Sequence, residues 1–372
     1  MPKPSASSNA SAFFLSPEAP VAGSGGGGLR SASLLEYLRS NYETEVFRFE
    51  LPHHSKSFLA RAWRNGWRFL RAAPPLLDRF SGFENQLGPA LRDRRFHVAV
   101  VEHFWCAPYA RALRPHCDRL VLDLHNIESM LARTHAGATH GIESIMMSRF
   151  AAAYERLEHE WLPQFDVILV ASERDRERIS HPSIVVYPNA LPEIARPNVP
   201  ESHSIAFSGN LEYHPNIEAV RWFHKEIWPR LRERDPSLQC RLIGCNEHAV
   251  RSIVVGDDRI RLTGAVDDAV SAIAESKVCV VPLLSGSGTR FKILEAWAAA
   301  RAVVSTAIGA EGLGARDGEQ FLIANHPDDF AAAVLKLLGD AAYREKLGEA
   351  GRKLYLNRFT WPAAWRALGD VL

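Results

Sequence analysis

Arg290, Lys292 and Glu295 follow the glycine turn Gly286-Ser287-Gly288-Thr289, directly after the apolar run VVPLL at 280–284. A helix beginning near Arg290 would offer unpaired N–H groups and its positive dipole end to an anion, and the two glycines would let backbone approach it closely. The two cations stand in a first turn, where the dipole favours acids, so a bound phosphate would compensate them. Glu295 is set among Phe291, Ile293, Leu294, Ala296 and Trp297 on an otherwise apolar helix. A carboxylate there could accept two ribose hydroxyls, in charge-assisted bonds worth about 1.5–3 kcal/mol each. The plainer reading makes Lys292 and Glu295 an i,i+3 pair on a solvated face and the glycines a simple turn. Turn, cations and acid at one strand's carboxyl end favour the anion site.

His125 follows the apolar run VLDL, and Glu102-His103 closes AVVEH. A histidine after such a strand either bonds a loop carbonyl or faces a ligand, and both readings stand for each. His135 and His140 lack companions at metal-ligand spacing. VAGSGGGGLRS at 21–31 matches G-x-G-x-x-G, with Glu50 where a ribose-binding acid would stand. The strand AFFLS ends near Ser16, however, and Pro17 and Pro20 intervene, so the tight strand-to-helix turn of a dinucleotide site cannot form. We therefore expect a flexible loop through Gly26, Gly27 and Gly28, with Arg30 on the following helix at 29–40.

Positioning these residues requires parallel strands. Apolar β-rich runs at 12–16, 45–50, 97–102, 119–124, 166–171 and 184–187 alternate with helical patterns. The rhythm restarts at 204–209, 239–244, 259–264, 277–283, 302–309 and 320–324, and after Pro327 the chain reads as helix. Such alternation predicts an α/β protein of two doubly wound sheets, joined by the proline-rich segment LPEIARPNVPES at 191–202. Ligands of such sheets bind at strand carboxyl ends, so the two domains should face one another across a shared cleft. A small, polar tail at 1–11, expected to be disordered, precedes a domain at 12–192. A second domain spans 203–355, and a last helix at 356–372 is expected to return to the first.

The chain has 372 residues, 47% of them apolar, and 44 basic against 43 acidic side chains, a balance that does not suggest nucleic acid as a partner. Five cysteines without paired spacing fit a reducing compartment, the cytoplasm by default. No apolar run approaches the roughly 18 residues of a membrane span. The helical pattern at 56–77 nevertheless sets Phe58, Leu59, Ala62, Trp63, Trp67 and Leu70 on one stripe and Arg61, Arg64, Arg68 and Arg71 opposite. Such a stripe either packs on the first domain's sheet or meets a membrane surface.

The segment 280–313 resembles the donor-binding region of the retaining GT-B glycosyltransferases of family 4, the glycosyl transferases group 1. Leu294-Glu295-Ala296-Trp297-Ala298-Ala299-Ala300-Arg301-Ala302-Val303-Val304-Ser305-Thr306 follows the family's L-E-A-M-A-x-G-x-P-V-V-x-T, and FSGNLEYHPNIEAVRWF (207–223), VVYPNALP (185–192) and VLDLHNIES (121–129) agree in order. The resemblance implies the two-domain GT-B architecture and a metal-independent transferase without cofactor. It would take a nucleotide-diphosphate sugar as donor and a saccharide or lipid-linked acceptor, with retention at the anomeric carbon. The chain has no D-x-D.

By the same resemblance Glu295 binds the nucleotide ribose. The family's preceding acid is replaced by Ser287, leaving the donor sugar to the Ser287 hydroxyl and the amides of Gly288 and Thr289. Gly209-Asn210 stands where many members carry a diphosphate-clamping cation, so Arg290 and Lys292 are expected to stabilise the leaving diphosphate. His125 contacts the donor, Gly26 to Gly28 with Arg30 lie by the phosphate and acceptor, and Asn189 marks the hinge; His103, from its place at a strand end rather than from the resemblance, could line the acceptor side. Trp361 marks where the last helix crosses back. A nucleotide-sugar epimerase and a non-catalytic nucleotide-sugar binding protein are the competing readings.

Overall fold

The computed structural model describes residues 10–17, 26–50, 57–139, 141–286, 290–369 and 371–372. Twelve described strands form two six-stranded sheets. The first holds β1 (Ser11–Ser16), β2 (Glu43–Arg48), β3 (Phe96–Glu102), β4 (Cys117–Asp123), β5 (Val167–Val170) and β6 (Ile184–Val186). The second holds β7 (Ser202–Ser208), β8 (Gln239–Ile243), β9 (Ile260–Gly264), β10 (Ser276–Val281), β11 (Ala302–Ser305) and β12 (Leu322–Ile323). Every pairing among them is parallel. Both sheets are therefore of the doubly wound type expected from the sequence.

The chain divides into two compact units, Met1–Asn189 with Trp365–Leu372, and Ala190–Ala364. The first sheet runs β2-β1-β3-β4-β5-β6, so its connections change direction between β1 and β3. The second runs β12-β11-β10-β7-β8-β9 and changes direction between β7 and β10. At such a point the loops leaving neighbouring strands part to opposite faces, opening a crevice at their carboxyl ends.

Central strands covered on both faces bury every residue, and β1 does so through Ala12, Phe13, Phe14 and Leu15. Phe13 meets Phe96 at 5.1 Å and Phe49 meets Tyr109 at 4.7 Å between ring centroids in the core of the first unit. Trp365 returns to this unit, donating from Nε1 to the Ser33 carbonyl at 3.1 Å, and Arg119 donates to the Val371 carbonyl at 2.6 Å. In the second unit Trp297 is fully buried, bonded to the Gln320 carbonyl at 3.1 Å. The proline-rich segment is strapped to the Ala341–Arg358 helix. The Tyr355 hydroxyl donates to the Pro192 carbonyl at 2.6 Å and accepts from the Ile194 amide at 3.2 Å, and Arg196 pairs with Glu349. Trp361 bonds the backbone of Ala190 and Leu191 within the same unit.

Two local expectations change. The first helix, α1 (Gly26–Asn41), begins three residues before the expected start, so Gly26 to Gly28 form its first turn instead of a loop. Gly23 and Gly25 lie outside the described residues. The second, α2 (Phe58–Arg71), leaves the described large residues of its stripe uncovered where a sheet-packing helix would bury them: Trp63 is 70% exposed, Trp67 45% and Leu70 68%. Among the described residues no helix is long and apolar enough to cross a membrane.

Candidate functional site

In the second unit β7 ends at Ser208, beside the direction change, and the chain turns through Gly209 at φ +139°. No side chain fits there: a Cβ on Gly209 would overlap the Lys292 Nζ, and one on Gly244 at the end of β8 would overlap the Gly209 carbonyl. Gly209 thus lets a lysine lie on bare backbone. That lysine comes from the Phe291–Ala298 helix, which follows β10, and its Nζ also lies 5.1 Å from the Phe207 ring centroid. Burial pushes the Lys292 ammonium down to about 8, with Glu295 opposing the fall and Arg290 adding to it. Glu295, one turn on, accepts from the Ser208 hydroxyl at 3.1 Å. Burial raises its carboxyl while Lys292 and Ser208 hold it down. A low-polarity environment strengthens every charge interaction an entering anion or diol would make here.

Arg290 caps this helix but is buried and turned back. Its Nε donates to the Ile308 carbonyl at 3.0 Å, one Nη donates to the Gly286 carbonyl at 3.1 Å, and Glu311 lies 3.8 Å away. Its guanidinium ties two turns together, so the expected pair of equivalent cations resolves into a tethering arginine and a lysine at the strand end. Among the described residues no side chain caps the helix start, and its first turn holds no acid, a setting in which backbone N–H groups could meet an anion. Asn210 is engaged locally, its Oδ1 accepting from the Glu212 amide in its own loop and from Asn246 Nδ2 in the loop after β8, each at 3.1 Å. Ser287, Gly288 and Thr289 lie outside the described residues.

The first unit gathers a second cluster beside its own direction change, at the ends of β3 and β4. Asp123 ends β4, fully buried, and receives Arg30 from α1 with Nε at 2.9 Å from both carboxylate oxygens, together with a further close Nη contact. Arg30 also donates to the Tyr187 carbonyl at 2.5 Å and to Asn189 Oδ1 at 3.0 Å, its guanidinium 4.6 Å from the Tyr187 ring centroid. Expected to bring charge to a phosphate loop, Arg30 instead points into the protein, where it neutralises a buried acid. The sequence could not show this, since the partners lie about a hundred residues or more away.

His125 Nε2 lies 3.3 Å from Asp123 Oδ2 and 3.7 Å from Glu102 Oε1. On its other edge, a Cβ on Gly27 would lie 3.5 Å from His125 Nδ1, so the imidazole reaches the amino end of α1. Burial opposes charge on His125, but Asp123 and Glu102 overcome it and raise the imidazole to about 9. Asp123 is held well below the usual carboxylate range: burial would raise it, but Arg30 and His125 outweigh that. His103 stacks on Trp105 at 4.3 Å and lies 3.7 Å from the His125 ring centroid, in a left-handed backbone conformation at φ 62°. Burial, then the charge on His125, push His103 well below 6.5.

Among the described residues neither oxygen of the buried Glu102 has a hydrogen-bond partner, nor do His103 Nδ1 and His125 Nε2. Glu102, Asp123 and His125 bring ligand-type atoms within 4.8 Å of one another, a spacing a divalent ion could use. Arg30 and the charged imidazole already supply the positive charge those acids need, so the donor set fits a cation poorly. What it provides is an imidazolium supported by two carboxylates, beside the amino end of α1. A positive imidazolium and a helix amino end are groups that could meet an anion or polarise an oxygen.

Residues 202–340 match the family model of the glycosyl transferases group 1. This stretch runs from β7 past the Pro327–Gly339 helix and contains Gly209, Lys292 and Glu295. An uncharacterized 44.6 kDa protein in the cps region of Klebsiella pneumoniae is 29% identical over 140 residues, and the match covers 36% of each chain. The likeness thus spans about a third of that relative. Among solved structures, sucrose-phosphate synthase from Thermosynechococcus elongatus superposes with a TM-score of 0.66 at 17% identity over 98% of each chain. HepE of Anabaena, solved with UDP and glucose, gives 0.63 at 12% over 97% of this chain and 99% of its own. These likenesses show the fold, the two Rossmann-like domains of the GT-B class.

Proposed function

We propose that the protein is a glycosyltransferase that moves a sugar from a nucleotide-diphosphate donor to a saccharide or lipid-linked acceptor, with retention of configuration and without a metal. The observation carrying this reading is the meeting of Lys292, Glu295, Ser208 and Gly209 at the end of β7, inside the stretch that matches the family model. Glu295 would take the ribose hydroxyls, while Lys292 and the helix N–H groups would take the diphosphate. The leaving nucleoside diphosphate gathers charge in the transition state, and fixed donors meet that charge without reorganising. HepE binds UDP, and the relative in a cps region supports a role in polysaccharide assembly. The five free cysteines, four of them buried, suit a reducing cytoplasm.

The Glu295→Gln variant tests the reading. Removing the charge while keeping the shape should weaken nucleotide-diphosphate binding about ten-fold to a hundred-fold, as expected for charge-assisted bonds. Calorimetry against UDP, GDP and ADP would measure this, and unchanged affinity for whichever nucleotide binds the wild type would refute the ribose role. Donor turnover without any acceptor, giving an epimerised sugar, would favour an epimerase instead.

A further inference from the structure

Trp63 and Trp67 are one helical turn apart on α2, exposed, with their rings stacked at 6.1 Å and 5°. Leu70 extends the same face at nearly one further turn. Two indoles in water expose a large apolar area, and a helix stabilised only by its own fold would place polar residues there.

The face continues onto a second element. In the Ile142–Trp161 helix, Ile142 is 85% exposed and Ile145 62%, and both share a face with Arg149 by i,i+4 and i,i+7 spacing. Arg149 bonds the carbonyls of Phe69 and Leu70 at 2.8 and 3.2 Å, locking this helix to the carboxyl end of α2. Three apolar side chains of α2 and two of its neighbour are therefore carried by two helices tied together in the first unit.

Charge completes the picture. Across 53–95 the sequence holds nine Lys or Arg against three acids, although the whole chain is nearly balanced, and of the nine Arg94 and Arg95 are paired outside the span with Glu45 and Asp118. The exposed Arg71 lies 4.3 Å from the Trp67 ring centroid, and the exposed Arg79 lies 5.8 Å from the Phe80 ring centroid. Of these three acids, Asp78 is engaged by Arg68, and on the neighbouring helix Glu143 beside Ile142 faces His135 at 3.4 Å. Indoles flanked by arginines are the side chains that settle at the headgroup level of a bilayer: the rings enter the boundary while the guanidinium groups meet anionic phosphates.

We infer that this corner, Trp63, Trp67 and Leu70 of α2 with Ile142 and Ile145, is a docking surface for an anionic lipid bilayer. The inference does not depend on the transfer reaction and is tested without it. The full-length protein is sedimented with vesicles of phosphatidylcholine alone and of phosphatidylcholine with phosphatidylglycerol. Wild type should partition onto the anionic vesicles and weaken as salt rises. The double variant Trp63→Ser/Trp67→Ser should lose about ten-fold or more of that partitioning, and Ile145→Ser on the other helix should also reduce it. Arg71→Gln should cost about five-fold. Circular dichroism and thermal midpoints would confirm that each variant is folded, as exposed positions allow. Equal partitioning of wild type and the double variant, or no wild-type binding to anionic vesicles, would overturn the inference. So would a concentration-dependent dimer abolished by Trp63→Ser/Trp67→Ser, which would assign the face to a second copy of the chain.

Discussion

Replacing His125 with glutamine isolates a pH dependence that the geometry makes specific. The His125 imidazole faces Asp123 and Glu102 on one edge, the amino end of α1 on the other and the ring of His103, with Arg30 and Glu128 behind them. Its folded value, about 9, lies above the unfolded value of 6.5. The native state therefore holds the proton more tightly. The resulting stability is fully present below pH 6.5 and is lost as pH rises through about 9. A shift of this size corresponds to about 3 kcal/mol, with a slope of at most about 1.4 kcal/mol per pH unit.

Two other groups bracket this window. Burial raises Glu128 to about 7, so its own loss with rising pH is complete near there. Lys292, lowered to about 8 in the second unit, contributes the opposite sign above that pH. Between pH 7 and 8 the slope belongs mainly to His125. Urea titrations of wild type and His125→Gln, followed by tryptophan emission in small pH steps, would give the difference directly. Curves that stay parallel across the window would refute the claim that the two carboxylates keep this imidazole charged.

Arg30→Met should destabilise the first unit by about 3–5 kcal/mol, because Asp123 would remain buried without its cation. The urea midpoint measures that, and a loss below about 1 kcal/mol would show the pair to be dispensable. Gly209→Ala should displace Lys292 and raise the nucleotide-diphosphate Kd about ten-fold. Unchanged far-UV circular dichroism would separate this from unfolding, and an unchanged Kd would exclude Lys292 from the binding site. Gly351→Ala should cost the second unit about 1–3 kcal/mol, since its Cβ would overlap the fully buried Trp297 ring. Differential scanning calorimetry would detect the loss, and an unchanged midpoint would mean that the contact yields freely.

The central strands were legible because a parallel strand covered on both faces is largely apolar, as in Phe13-Phe14-Leu15 or Val278 to Val281, while edge strands such as β2 showed through the alternation with helices. Strand ends were less so. β11 stops at Ser305 because Thr306 turns back, its hydroxyl bonding the Leu283 carbonyl and accepting from the Gly309 amide. Propensity argues against three glycines opening a helix, yet α1 begins at Gly26. Glu295 and Lys292 could be singled out because local spacing places them on one short helix. The inward course of Arg30 could not, because it depends on Asp123, Tyr187 and Asn189, which no local pattern connects to it. The exposure of Trp63 and Trp67 was equally hidden, since an amphipathic period reports two faces without saying which is covered.

The return of Trp365–Leu372 to the first unit constrains any attempt to cut the molecule in two. A fragment ending at Asn189 would lack the indole bonded to Ser33 and the carbonyl that Arg119 holds, leaving a raw edge beside α1. Dissection would succeed only if the final eight residues were supplied as a separate peptide or grafted through a short connector. The rescue such a peptide gives would weigh how much the chain's last turn contributes to the half in which its first strand lies.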